Sequence, residues 1–190
     1  MSGPVWVLST ILIIMTMTIV ILIAERRTLK RMAYKDAMTG LLNRNALNDF
    51  FHSRKSSEAI AVLFLDLDQF KDINDTMGHH MGDLLIQEVG SRLLLFMNPI
   101  LQVFRIGGDE FLIIAKGYGS NQAERLAEQI LYSIRHVYDI DGRDLHVSGS
   151  IGICVGTMQD DPLMLLKNAD LSLYRAKHSG KDGYVVYTGS

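Results

Sequence analysis

Ala59-Ile60-Ala61-Val62-Leu63-Phe64-Leu65 is an unbroken apolar run that stops abruptly at Asp66-Leu67-Asp68. A strand with one wet face alternates polar and apolar residues, so a run without alternation predicts a strand covered on both faces. Such a central strand carries the residues that follow it, here carboxylates, to the edge of a sheet. Downstream, Leu101 to Ile106 and Glu110 to Ala115 read as two strands joined by Gly107-Gly108-Asp109, a hairpin signature. Adjacent strands lie about 4.8 Å apart. If the Ala59–Leu65 strand pairs beside this hairpin, Asp66 and Asp68 converge with Asp109 and Glu110. Like charges so placed raise one another's pKa, and a cation relieves the repulsion. Hard oxygen donors select Mg2+ or Mn2+. Each piece alone has a plainer reading, since Gly-Gly-Asp is a common turn and strand-end aspartates are common turn formers.

Working outward, Asn45 to Arg54 predicts a helix with Leu47, Phe50 and Phe51 on one face. Phe70 to Asp83 reads as a Gly-bearing loop that leads into a helix over Gly82 to Met97, stopped by Asn98-Pro99. In that loop Lys71 offers a point charge for phosphate. Asn74 and Asp83 offer hydrogen-bonding groups for the edge of a base. Asp83 alternatively caps or neutralises the first turn of its helix. His79 and His80 lack the spacing of a zinc site and read as structural or solvent-facing. Asn121 to Val137 predicts an amphipathic helix, Leu145 to Gly156 a strand interrupted by glycines, Pro162 to His178 a last helix, and Tyr184 to Tyr187 a closing strand. Interleaved strands and helices around one hairpin imply an α/β sandwich with a mixed sheet, compatible with a ferredoxin-like βαββαβ core carrying extra elements.

Val5 to Ala24 contains no charged residue in a chain of 190. As a helix it spans roughly 30 Å, the thickness of a bilayer's hydrocarbon core. A cleaved signal peptide fits less well, because no basic residue precedes the run and the run is too long. Arg26, Arg27, Lys30 and Arg31 follow it, so the positive-inside rule puts the C-terminal bulk in the cytoplasm, with Trp6 at the outer interface. The expected plan is an outer stub over 1–4, a transmembrane helix over 5–24, a linker helix over 25–35 and one domain over 36–190. The net charge of -2 argues against a surface that coats nucleic acid, so any nucleotide site is local. Cys154, the only cysteine, lies in an apolar run and reads as a buried thiol in a reducing compartment.

Arg105-Ile106-Gly107-Gly108-Asp109-Glu110-Phe111 carries the signature of the GGDEF family of diguanylate cyclases. Asp36 to Arg44 resembles that family's opening motif. Phe64 to Asp83 resembles its metal-and-guanine segment, and Asn168 to Lys181 its last helix and the turn after it. The resemblance covers about Asp36 to Tyr187. It implies a palm fold like that of nucleotidyl cyclases and polymerases, and an activity that joins two GTP molecules into cyclic di-GMP with release of two pyrophosphates. It further implies that Asp66, the Leu67 carbonyl, Asp109 and Glu110 hold metal, with Glu110 alternatively taking the proton of the attacking 3′-hydroxyl. Asn74 and Asp83 would recognise guanine, Lys71 and Lys177 would hold phosphates, and Gly107 and Gly108 would let the nucleotide lie against the hairpin. Arg105 reads as a support residue. The nucleophile belongs to a second GTP, so turnover implies a homodimer at the membrane.

Two departures from the family pattern stand out. Members often carry Arg-x-x-Asp before the signature as an inhibitory product site, whereas the matching positions here are Asn98, Pro99, Ile100 and Leu101. No inhibitory product site is therefore expected. The usual Gly-Arg-Asn after the last helix is Gly180-Lys181-Asp182, which keeps a charge but loses a bidentate fork. The alternative to a cyclase is a catalytically silent GTP-binding module that regulates a partner.

Overall fold

The computed structural model describes residues 3–52 and 57–189. The expected helix end at Arg54 and the stub residues Met1 and Ser2 lie outside them. The chain begins with α1 (Gly3–Tyr34), a single helix through both the apolar run and the basic stretch. Its Trp6–Tyr34 portion is long and apolar enough to cross a membrane, with a mean hydropathy of 2.8 in its most apolar window and none of that window buried. Then come α2 (Arg44–His52), β1 (Ala59–Leu67), α3 (Phe70–Met77), α4 (His79–Leu94), β2 (Leu101–Gly107) and β3 (Glu110–Lys116). They are followed by α5 (Ser120–Arg135), β4 (Tyr138–Ile140), β5 (Arg143–Leu145), β6 (Gly149–Thr157), α6 (Pro162–His178) and β7 (Tyr184–Val186).

Five strands form one mixed sheet in the order β2-β3-β1-β6-β7. β1 runs antiparallel to both neighbours, and β7 joins β6 in parallel. The four strands β2, β3, β1 and β6 have the ferredoxin-like arrangement that the sequence predicts. β1 is buried on both sides, which explains its lack of alternation. Ala61, Leu63, Leu65 and Leu67 pack with α4 and α5, whereas Ile60 and Val62 pack with α2 and α6. Fully burying one such aliphatic side chain contributes about 1.5–3 kcal/mol. Gly152 interrupts β6 for a packing reason: a Cβ there would run into the α6 backbone at Ala169 and Leu173. α6 therefore lies closer to the sheet than a side chain would permit.

Three sequence expectations need correction. The segment expected as a loop before Gly82 is α3 followed by the start of α4, with Gly78 (φ 86°) at the joint. Phe70, Ile73 and Met77 fall on one face of α3 and pack against the core, which outweighs the polar residues between them. The helix expected to reach Met97 ends at Leu94. The strand expected from Leu145 starts at Gly149, and a separate hairpin of β4 and β5 turns at Asp141-Gly142, both with positive φ.

Candidate active site

The site forms at one end of the sheet. Asp66 is the register partner of Glu110 across the β1–β3 ladder. By strand alternation both lie on the face covered by α2 and α6, since Val62 and Leu112 of the same two strands pack there. Asp109 sits in the turn just before Glu110. Asp66 is only 9% exposed. Burial pushes its carboxyl above the ordinary aspartate range, Lys177 opposes that rise, and the charges of Asp109 and Glu110 add to it. The last turn of α6 brings Lys177 Nζ to 2.7 Å from Asp66 Oδ1. Among the described residues, the Lys177 ammonium thus meets Asp66 while the charges of Asp109 and Glu110 act on the same carboxylate, and negative charge is in excess. That donor chemistry suits a divalent cation. Among the described residues, however, no three His, Cys, Asp or Glu side chains are already close enough to cage one. Leu67 as a whole is 1% exposed and packs in the core, so its side chain offers a ligand nothing.

The signature turn is held from behind by Arg105. Its Nε and Nη2 donate to the Gly108 carbonyl at 3.1 and 2.8 Å, and Nη1 donates to Asp36 Oδ1 at 3.0 Å. Asp36 also accepts from the Thr39 N–H at 2.9 Å and hydroxyl at 2.7 Å. Burial opposes ionisation of Asp36, but the bonds from Thr39 and Arg105 together hold its carboxyl below the usual range. On the open side of the turn, no atom lies within 4 Å of where a Cβ on Gly107 or Gly108 would be. The backbone there is free to meet a ligand.

Lys71 lies exposed on α3. Asn74, half-buried on the same helix, has an Oδ1 that is shielded from solvent and finds no hydrogen-bond partner among the described residues. Gly82 on α4 backs it, because a Cβ there would overlap the Asn74 amide. Asp83 is exposed in the second turn of α4. It is not the cap, since the helix begins at His79 after Gly78. His79 and His80 are exposed.

Asp68 does not join Asp66, although only Leu67 separates them. Its carboxylate accepts from the hydroxyls of Ser148 at 2.6 Å and Ser150 at 2.7 Å, and from the Asp182 N–H at 3.0 Å. The expected convergence therefore brings together Asp66, Asp109, Glu110 and Lys177, while Lys71, Asn74 and Asp83 sit on the α3–α4 pair and Asp68 faces inward to β6. The support from Arg135 to Asp182, at 2.6 Å, was invisible in sequence, because 47 residues separate the partners.

Residues 33–183 match the profile of the diguanylate cyclase GGDEF domain. The chain belongs to the GGDEF family. It is similar to MucR, a bifunctional diguanylate cyclase and cyclic di-GMP phosphodiesterase of Pseudomonas aeruginosa, with 36% identity over 86% of this chain and 25% of MucR. It is similar to the diguanylate cyclase DosC of Escherichia coli at 33% identity, covering 82% of this chain and 35% of DosC. The chain thus spans about a quarter to a third of the length of these relatives. In fold it superposes on the coiled coil and GGDEF domain of DgcB from Caulobacter crescentus, a structure in complex with cyclic di-GMP. The TM-score is 0.83 at 24% identity, over 94% of this chain and 98% of that one. The mixed sheet flanked by helices is the GGDEF palm.

Proposed function

We propose that the chain is a membrane-anchored diguanylate cyclase that condenses two GTP molecules into cyclic di-GMP and two pyrophosphates. The observation that carries this reading is the pairing of Asp66 with Glu110, with Asp109 beside them, in excess of the Lys177 ammonium. Asp66, the Leu67 carbonyl, Asp109 and Glu110 would hold Mg2+ or Mn2+. When bound, such an ion neutralises charge growing on phosphate and lowers the pKa of a hydroxyl nucleophile. Lys177, at the same end of the sheet, would pass from Asp66 to a nucleotide phosphate, and Lys71 would meet the phosphates from α3. Asn74 Oδ1 would accept from the guanine edge, which supplies the donor this atom lacks, and Asp83 would accept a second. The exposed backbone of Gly107 and Gly108 would let the nucleotide lie along the turn. Glu110 would alternatively take the 3′-hydroxyl proton.

One domain carries one such site, and the attacking hydroxyl belongs to a second GTP. Two domains therefore have to face each other as a homodimer, which sets proximity and alignment. The α1 helix would span the cytoplasmic membrane and concentrate the partners, with the palm on the cytoplasmic side of the basic residues after Ala24.

The test incubates the full chain in lipid nanodiscs with GTP and Mg2+, and resolves products by chromatography. Cyclic di-GMP should form and should vanish in Asp109→Ala and Glu110→Ala. GTP bound without conversion would make the chain a silent regulatory module, and no GTP binding at all would end the nucleotide reading.

A further inference from the structure

The Lys181-Asp182 departure coincides with an unusual stretch of backbone. Lys181 (φ 62°) and Asp182 (φ 48°) are consecutive non-glycine residues in the left-handed region, immediately after α6. Such a conformation persists only where surrounding contacts determine it. Four contacts do so here. The Lys181 N–H donates to the Ala176 carbonyl at 3.2 Å. The Asp182 N–H donates to Asp68 Oδ2 at 3.0 Å. Arg135, at the C-terminus of α5, donates from Nε to Asp182 Oδ1 at 2.6 Å and from Nη2 to the Asp182 carbonyl at 2.8 Å.

Asp68 is the centre of this arrangement. It is 5% exposed. Ser148 and Ser150 use its two oxygens from β6 and the residue just before it, and its own N–H donates to the Ser148 carbonyl at 2.9 Å. Three protein donors on one carboxylate leave little capacity for a cation. The two acids at the end of β1 therefore divide their work. Asp66 meets Lys177 in the last turn of α6, and Asp68 fastens the turn that follows that helix, which carries exposed Lys181.

We infer that Asp68 and Arg135 are positioning residues for phosphate binding: together they fix the Lys181-Asp182 turn and, through it, the end of α6 that bears Lys177. This rests on the nucleotide reading above. Arg135 has a particular task in this chain. An asparagine at position 182 would need no countercharge, whereas aspartate adds a carboxylate to the turn, and Arg135 pairs with it. The departure from Gly-Arg-Asn is thus matched from α5 and does not mark a decayed site.

The experiment uses the full chain in nanodiscs with three readouts: affinity for a fluorescent non-hydrolysable GTP analogue with Mg2+, hydrogen exchange over residues 179–183, and Mn2+ affinity by EPR without nucleotide. Arg135→Ala should weaken analogue binding about tenfold, the scale of one charge-assisted hydrogen bond, and speed exchange in the turn. Adding Asp182→Asn should restore affinity to within about twofold, because the unpaired charge is gone. Asp68→Asn should also weaken the analogue, since its amide sets a donor against a hydroxyl or an N–H, while leaving Mn2+ affinity unchanged. Exchange in β1 and β3 reports any loss of fold, in which case Arg135→Gln carries the same comparison. The inference is overturned if Asp68→Asn abolishes Mn2+ binding, if Arg135→Ala leaves the analogue unaffected, or if Asp182→Asn fails to rescue. An unaltered chain that does not bind the analogue would instead overturn the nucleotide reading, and turn exchange would still decide whether these residues hold the turn.

Discussion

Replacing Lys177 with methionine isolates the electrostatics of the site. Methionine keeps the length and apolar stem of lysine and removes only the ammonium. In the native protein that ammonium, on a side chain 34% exposed, contacts a carboxylate whose side chain is 13% exposed. Removing one partner of a fully buried pair costs about 3–5 kcal/mol, and exposed pairs contribute about 0–1 kcal/mol. The intermediate burial here puts the loss at about 2 kcal/mol, because Asp66 is left beside Asp109 and Glu110 without the cation that opposed them. For a domain of this size that lowers Tm by about 4–8 °C in the presence of chelator. Divalent metal should reverse the deficit. In the native chain an incoming ion has to displace the ammonium from Asp66, and in the variant it does not. Closing that cycle with the same 2 kcal/mol makes Mn2+ bind about 30-fold more tightly to Lys177→Met than to the native chain when no nucleotide is present. Circular dichroism melts with chelator and with millimolar Mn2+, together with an EPR titration, measure both sides. Equal Mn2+ affinities, or a variant as stable as the native chain in chelator, would refute the idea that Lys177 stands in for a cation.

Arg105→Ala should destabilise the domain by about 2–3 kcal/mol, read as a melting shift, because it removes three bonds to Gly108 and Asp36 from a partly buried place. The lowered pKa of Asp36 means its stabilisation is present above the ordinary aspartate value and is lost as pH falls through the folded one, so Asp36→Asn should flatten the acid limb of the stability curve. Gly152→Ala should cost about 3 kcal/mol or more in a denaturant titration, because the new methyl meets α6 backbone at Ala169 and Leu173 and no side chain there can swing away. Cyclic di-GMP in large excess should not inhibit through positions 98–101, where the Asn98 side chain accepts from the Ile100 and Leu101 N–H groups and donates to the Phe96 carbonyl; a titration with saturating GTP checks this. A chain starting at Ala33 should lose product formation at low protein concentration and regain it as concentration rises, and activity independent of concentration would count against dimerisation through α1.

Much of the fold was legible because its signals were local. The apolar run of β1, the glycine hairpin and the periodic face of α6 each announce an element within a dozen residues, and the order of elements then leaves few topologies. α3 was missed because its polar residues dominate the composition, even though Phe70, Ile73 and Met77 keep helical spacing. The β4–β5 hairpin was missed although Asp141-Gly142 is a strong turn signal, because the strands it joins have three residues each. The site was half legible. Asp66, Asp109 and Glu110 converge because a ladder register brings them together, and strand alternation predicts which face they share. Asp68 was grouped with them because it lies two residues on, in phase with Asp66. What separates the two is a pair of serines about 80 residues away and a turn 114 residues away. No local pattern carries that information.

The contacts between α1 and the palm constrain how a signal would reach the site. The final carbonyls of α1 are not left to water: the Tyr34 carbonyl accepts from the Asn43 N–H at 3.0 Å, and the Ala33 carbonyl accepts from the side chains of Asn43 at 3.0 Å and Asn45 at 3.2 Å. Leu42, beside Asn43, exchanges backbone bonds with Val103 and Arg105 of β2, and Arg105 reaches both Asp36 and the signature turn. At about 0.5–1.5 kcal/mol per bond, tilting α1 on the palm would break several bonds at once and cost several kcal/mol. The helix and the domain are therefore better described as one lever than as two parts on a hinge. A lever of this kind transmits rotation undiminished but deforms little at its tip. An input acting on α1 would change where the whole palm points, not the shape of its carboxylate cluster. Because the proposed reaction requires two palms face to face, reorientation alone would be enough to switch it on or off.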